Sequence, residues 1–392
     1  MVGMRALAPL VRPGRPLTAP ERTRYARHLL LPGFGEQAQR RLRAVSVLVV
    51  GAGGLGSPVL QYLAAAGVGR LAIVDDDVVD TTNLQRQVIH TDADVGRLKV
   101  ESAAESVRAL NPDVDVLTYA ARLTGQNVLD VTTGHDVVVD GADNFPTRYL
   151  VDDACVRLGL PHVWASIYRF DAQLSTWWAG QGPCYRCVFP HEPSGEAVPS
   201  CSVGGVLGTL CGTVGSLLAG EVVTLATGVG TSLVGRILLH DALAGSFDSI
   251  PARARAGCPV CGQGADPARE LGTLRSSRTS QSAEPVPEVP AIGVEEAAAL
   301  LAGVAPPFLL DVREPGEREV VTLDEARGIP LAQLAARIDE LPTDRRILVY
   351  CKSGARSASA TLFLREQGFD AVNVEGGILA WAQRLRPDLP TY

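Results

Sequence analysis

Short, wholly apolar runs punctuate the first 260 residues, separated by longer stretches whose apolar positions recur at helical spacing. The run VSVLVV (45–50) is of the kind buried on both faces of a parallel sheet. A glycine-rich turn comes next, and then SPVLQYLAAAGVG, which predicts a helix with Ser57 as its cap and Pro58 in its first turn. A second strand is predicted over Arg70 to Val74, ending at Asp75, and a third over Asp136 to Asp140, ending at GADN. Strand, helix and strand, with acidic residues at the strand ends, predict a doubly wound, Rossmann-like α/β sheet. Ligands of such sheets bind beyond the carboxyl ends of the strands.

The pattern breaks near residue 263. Residues 264–290 are rich in Ser, Pro, Arg and Glu and carry no apolar periodicity, which predicts a flexible linker. A smaller α/β pattern then begins. FLLDVRE and RRILVYC read as strands, SASATLFLREQG as a helix, and AVNVEGGILAWAQRL as a strand followed by an amphipathic helix. The expected organisation is a loose tail over 1–19, a first domain over 20–263, the linker, and a second domain over 291–392.

Composition adds exclusions. No apolar run approaches the roughly 20 residues that a membrane helix needs, and the basic start lacks a signal-peptide core, so a cytoplasmic protein without a membrane partner is expected. The net charge of -7 argues against a nucleic-acid partner.

Gly51-Ala-Gly53-Gly54-Leu-Gly56 fits G-x-G-x-x-G between a strand and a helix, where backbone N–H groups can meet a phosphate. Asp75 is placed to accept hydrogen bonds from a ribose. Taken alone, these features suit a dinucleotide oxidoreductase as well as an ATP enzyme. Four residues beyond the turn favour ATP: Asn83, Arg86 and Gln87 stand close behind Asp75, and Lys99 comes soon after. Cations beside a phosphate turn suit a triphosphate under attack, a need hydride transfer does not have. Asp143 in GADN can hold Mg2+ through its carboxylate.

Eight cysteines raise the question of metal, because four form two C-x-x-C pairs, Cys184/Cys187 and Cys258/Cys261. Four thiolates at such spacing suit tetrahedral structural Zn2+; two independent redox dithiols are the alternative. Cys201, in a Gly- and Ser-rich loop leading into a helix, is a candidate nucleophile. Cys155 and Cys211 lie on apolar helical faces and read as core. Cys351-Lys-Ser-Gly-Ala-Arg356 follows a strand and precedes a helix, so backbone N–H groups with Lys352 and Arg356 can stabilise a thiolate or persulfide on Cys351. Four residues separate Cys351 from Arg356, a cradle suited to one sulfur atom more than to a tetrahedral phosphate.

The segments GAGGLGSPVLQYLAAAGVG, NLQRQVIH, VGRLKVES and DGADNFPTR resemble the ubiquitin-activating-enzyme-like adenylyltransferases over about residues 20–263. That resemblance implies adenylation of the C-terminal glycine of a ubiquitin-fold sulfur carrier ending in diglycine. It further implies nucleotide or Mg2+ roles for Gly54, Asp75, Asn83, Arg86, Lys99, Asp143 and Asn144. It also implies a homodimer in which Arg27 reaches the partner's site, the zinc centre, and a covalent role for Cys201. From about 291 to 392, DVREPGE, GIPL, VYCKSGARSA and GGILAW resemble a rhodanese. The whole chain resembles bacterial adenylyltransferase–sulfurtransferase fusions, which implies a sulfur donor such as a cysteine desulfurase as a further partner.

Overall fold

A computed structural model describes residues 7–192, 205–266, 269–272 and 289–390. The chain divides into two compact units, Met1–Ser277 and Arg278–Tyr392, each described by itself.

The first unit is built on an eight-stranded sheet. Its strands are β1 (Ser46–Val50), β2 (Arg70–Val74), β3 (Asp115–Tyr119), β4 (Val137–Asp140), β5 (His162–Tyr168), β6 (Asp171–Trp177), β7 (Arg236–Asp241) and β8 (Ser246–Pro251). They lie in the order β3-β2-β1-β4-β5-β6-β7-β8. The first five are parallel, as the buried apolar runs predict, and β5 through β8 are antiparallel. Alternate residues of the parallel strands face opposite layers. Val47, Val49, Leu71 and Ile73 pack with the helices Gly35–Ala44, Gly56–Ala66, Lys99–Leu110 and Gly208–Thr227. Leu48, Val50, Ala72, Val74 and Val138 pack with Val128–Thr132 and Phe145–Leu158 on the other face. The sheet is therefore doubly wound, with its glycine turn at the carboxyl ends of β1, β2 and β4.

Several sequence expectations change. The helix after the glycine turn begins at Gly56, so Ser57 lies inside its first turn, and its hydroxyl donates back to the Gly53 carbonyl at 2.7 Å instead of capping the helix. Residues 7–18 are not loose: Leu7, Leu10 and Val11 pack on the core, Leu17 is buried, and the Leu10 N–H donates to the Leu225 carbonyl. These apolar residues lie in an extended segment, which has no periodicity to announce it. At the linker, Leu271 is buried in the second core layer and the Gly272 N–H donates to Asp153 at 2.9 Å, so residues 269–272 belong to the first unit. Gly208–Thr227 is long and apolar enough, by length and composition, to cross a membrane, contrary to the expectation that no such run exists. Its mostly buried surface and its packing against two helices and the sheet mark it as a core helix.

The second unit has a five-stranded parallel sheet. Its strands are β9 (Ala291–Ile292), β10 (Phe308–Asp311), β11 (Arg327–Gly328), β12 (Ile347–Tyr350) and β13 (Ala371–Val374), in the order β11-β10-β12-β13-β9. Helix Ala355–Glu366 packs on one face, and Val294–Leu301 with Gly377–Arg384 on the other. Cys351 stands at the carboxyl end of the central strand β12.

Candidate active sites and metal centre

A cleft of about 1060 Å³, counting its open mouth, lies beyond β1, β2 and β4. It exists because the glycine turn runs tight. A Cβ on Gly56 would sit 1.9 Å from the Gly51 carbonyl oxygen, so only glycine lets the helix start so close to the strand end. The turn is braced from two sides. Asp75 accepts from the Ala52 N–H at 2.8 Å, and His90 contacts the Ala52 carbonyl at 3.0 Å and Ser102 at 2.8 Å. Burial pushes the His90 pKa down, so the neutral ring donates to Ala52 through Nε2 and accepts from Ser102 through Nδ1. Burial also pushes the Asp75 carboxyl up, opposed by Lys99 and the Asp77 and Ala52 N–H groups.

Gly51, Gly53, Gly54, Asp75, Arg86, Gln87, Lys99, Asp143 and Asn144 all line this one cleft. The expected residues differ in what they offer. Lys99 is buried and holds Asp77 at 2.8 Å. The Asp143 carboxylate is exposed and makes no hydrogen bond or ion pair with the described residues. Asn144 caps Phe145–Leu158, its Oδ1 accepting from the Thr147 N–H at 3.0 Å, so its acceptor is committed to the helix. Asn83 lies behind the lining, where its Oδ1 accepts from Gln87 at 2.8 Å and from Arg86 at 3.3 Å. It aims two lining residues and is not one itself. Gly56 is likewise structural. Arg27 is exposed on the short helix Ala26–Leu29, away from this chain's cleft, and its side chain has no partner among the described residues.

Sequence reasoning missed Arg148 and His90, although DGADNFPTR and NLQRQVIH contain them. Arg148 is buried in the cleft wall, donates twice to the Ala142 carbonyl at 3.2 Å and once to Ser166 at 3.1 Å, and lies over the Phe145 ring. The signal was its spacing from Asn144, which puts it one helical turn into the helix that the asparagine caps.

The four paired cysteines converge. Cys184 Sγ lies 3.8 Å from Cys187 and 3.6 Å from Cys258, and Cys187 lies 3.4 Å from Cys261. All are free thiols; three are buried and Cys261 is partly so. A tetrahedral ion with Zn–S bonds of ~2.3 Å separates its sulfurs by about 3.8 Å, so the set could hold zinc. Hydrogen bonds from Cys184 and Cys261 pull the Cys258 thiol towards its thiolate, while Cys184 is pushed up by the same sharing. Cys155 is fully buried and burial raises its pKa, as befits a core thiol. Cys211 is also buried, but it lines the cleft. Cys201 lies outside the described residues.

In the second unit, the loop after β12 cradles Cys351. Its Sγ accepts from the Gly354 N–H at 3.2 Å and from the Ser357 hydroxyl at 3.4 Å. The carbonyls of Cys351 and Lys352 accept from the Ile378 and Leu379 N–H groups. This close approach requires Gly377, whose Cβ would lie 2.3 Å from the Cys351 carbonyl oxygen. Arg356 departs from expectation. Its guanidinium pairs in two-pronged fashion with Glu317 at 2.7 and 2.8 Å, which offsets its charge.

Comparison with known proteins identifies the two domains that carry these sites. The ThiF family model matches residues 25–260, and the rhodanese-like domain model matches 293–384. The chain belongs to the ThiF family. It is an enzyme that joins a ThiF adenylyltransferase domain to a rhodanese-like sulfurtransferase domain. It is 44% identical over 394 residues, 99% of both chains, to the Mycobacterium tuberculosis protein named probable adenylyltransferase/sulfurtransferase MoeZ. It is 42% identical to the Bos taurus adenylyltransferase and sulfurtransferase MOCS3, over 97% of this chain and 90% of that one. Among solved structures it is similar in fold to Escherichia coli MccB. That match has a TM-score of 0.53 and 22% identity, and covers 59% of this chain and 69% of that one.

Proposed function

We propose that the ThiF domain adenylates the C-terminal glycine of a ubiquitin-like sulfur-carrier protein, and that Cys351 then delivers sulfur to it as a persulfide. The observation that carries this is the pairing, in one chain, of the cleft lined by Gly53, Gly54, Arg86, Lys99 and Asp143 with a buried sulfur cradle at Cys351. In the first step the carrier carboxylate attacks the α-phosphorus of ATP, giving an acyl-adenylate and pyrophosphate. Backbone N–H groups of the glycine turn, with Arg86 and Lys99, offset phosphate charge. Asp143, whose carboxylate is uncommitted, is the residue to hold Mg2+, which would supply further charge neutralisation. In the second step the Cys351 persulfide displaces AMP and leaves an acyl disulfide. Cys201 then attacks the cysteine sulfur of that disulfide, releasing the thiocarboxylate and forming a Cys201–Cys351 disulfide that a thiol reductant reopens.

The four-cysteine centre is read as structural zinc, closed to substrate by its burial. A homodimer is supported by exposed Arg27 beside Leu30 and Leu31, which are 73% and 50% exposed. The carrier, and with it the route to molybdopterin, thiamine, cysteine or another sulfur metabolite, is to be assigned by experiment. The full-length enzyme is mixed with ATP, a cysteine desulfurase with cysteine, and each ubiquitin-like carrier of the same genome, and products are weighed. One or more carriers ending in diglycine should gain a thiocarboxylate. Pyrophosphate exchange with none of them would overturn the reading.

A further inference from the structure

A buried chain of charges joins the four-cysteine centre to the adenylation cleft. His162, at the start of β5, is fully buried and stands between two carboxylates. Its Nε2 is 3.2 Å from Asp140 Oδ2 and its Nδ1 is 3.4 Å from Asp152 Oδ1. Each carboxylate also takes a backbone N–H from a functional loop. Asp140 Oδ1 accepts from Ala142 at 2.9 Å, directly before Asp143. Asp152 Oδ1 accepts from Tyr185 at 3.0 Å, between Cys184 and Cys187.

The geometry points to a positioning role. We infer that Asp140, His162 and Asp152 make the thiolate centre and the nucleotide cleft one thermodynamic unit, so that metal at the first and nucleotide at the second stabilise each other. This inference rests on the metal and nucleotide readings above. Two buried carboxylates facing the two nitrogens of one ring require both to be donors, so the ring is an imidazolium. Desolvation works against that charge, but hydrogen bonds and attraction from Asp140 and Asp152 outweigh it, and the His162 pKa is pushed up to about 9. A rigid ionic link of this kind has one low-energy geometry. A shift of the Tyr185 N–H is passed to Asp152, to the ring, to Asp140, and so to the backbone of Ala142.

The Ala142 peptide is held from its other side too, because Arg148 donates twice to its carbonyl. Its placement therefore fixes where Asp143 enters the cleft. A second brace, the two-pronged Arg186–Asp153 pair at 2.8 and 3.0 Å, ties the helix Phe145–Leu158 to the same cysteine loop without touching Asp140. It holds the loop in place when the first link is cut.

Coupling between two sites is reciprocal, which gives a readout independent of catalysis. The full-length enzyme is loaded with zinc, and its zinc affinity is measured by equilibrium competition with a chromogenic chelator, with and without a non-hydrolysable ATP analogue and Mg2+. In the native chain the nucleotide should tighten zinc binding by ~5-fold or more, a typical coupling. In a variant combining His162→Leu with Asp152→Asn, the analogue should change zinc affinity by less than about twofold, although the metal still binds. Asp152→Asn alone keeps an acceptor for Tyr185 and leaves His162 on Asp140, so it should retain part of the effect. Equal zinc affinity with and without nucleotide in the native chain, or full coupling in the double variant, would overturn the inference. A native preparation free of metal sinks the zinc reading instead. The coupling is then read as nucleotide protection of Cys258 and Cys261 from alkylation, and absence of that protection overturns it.

Discussion

Asp143 and Asn144 are adjacent, yet only one has its side chain committed to the helix behind it. The asparagine oxygen caps Phe145–Leu158, whereas the aspartate carboxylate stands exposed in the cleft with no described partner. Asp143→Ala should therefore leave thermal stability nearly unchanged and lower ATP–pyrophosphate exchange by ~100-fold or more, as loss of a preorganised charge contact does. Asn144→Ala should instead lower stability by about 1 kcal/mol, the usual cost of a lost cap. Calorimetry and exchange assays on both variants separate the roles. Asn83→Ala is the subtler case. It touches no ligand in the proposed site but frees Arg86 and Gln87, so exchange should fall with a raised KM for ATP while Tm holds. At this scale the sequence was informative about residue type and less so about task. NLQRQ and GADN contain residues that the fold brings to one cleft, but no spacing distinguishes a side chain that lines the cleft from one that aims its neighbour. Arg356 shows the same limit, since its charge is balanced by Glu317, distant in sequence.

Elements were legible where burial is two-sided. VSVLVV, RLAIV and DVVVD become parallel strands of the sheet because their inner positions, Val47 to Val50, Leu71 to Val74 and Val137 to Val139, are all apolar. The antiparallel extension β6–β8 was not legible, for β8 (SFDSIP) is largely exposed and mixes polar with apolar residues without strong alternation. Long-range contacts decide there, as they do for residues 7–18 and 269–272. The cysteine pairs show the opposite, because the spacing within each pair is local while the 74-residue separation of Cys184 and Cys258 is closed by the fold. If the cluster holds structural zinc, Cys258→Ser should reduce bound zinc and Tm together, since the binding free energy of a structural metal is folding free energy. Elemental analysis finding full zinc in that variant would contradict the four-thiolate centre. The His162 link adds a pH dependence. Its folded pKa of about 9 exceeds the ordinary 6.5, so its contribution to stability is complete below about 6.5 and is lost as pH rises through about 9. Tm of the native enzyme should fall across that window by more than that of the variant combining His162→Leu and Asp152→Asn.

On the scale of the molecule, the division of labour is the central claim. The first unit contains the cleft and the four-cysteine cluster, and the second contains the Cys351 cradle. The break in composition after residue 263 made this two-part organisation readable, and VYCKSGARSA identified the second part. If the assignment is right, the two half-reactions are separable by one substitution. Cys351→Ala should support carrier-dependent pyrophosphate release at close to the native rate, because no residue lining the nucleotide cleft is altered. With a cysteine desulfurase as the only sulfur source and free sulfide excluded, the same variant should yield almost no carrier thiocarboxylate by mass spectrometry. Full thiocarboxylate formation by Cys351→Ala under those conditions would contradict the account.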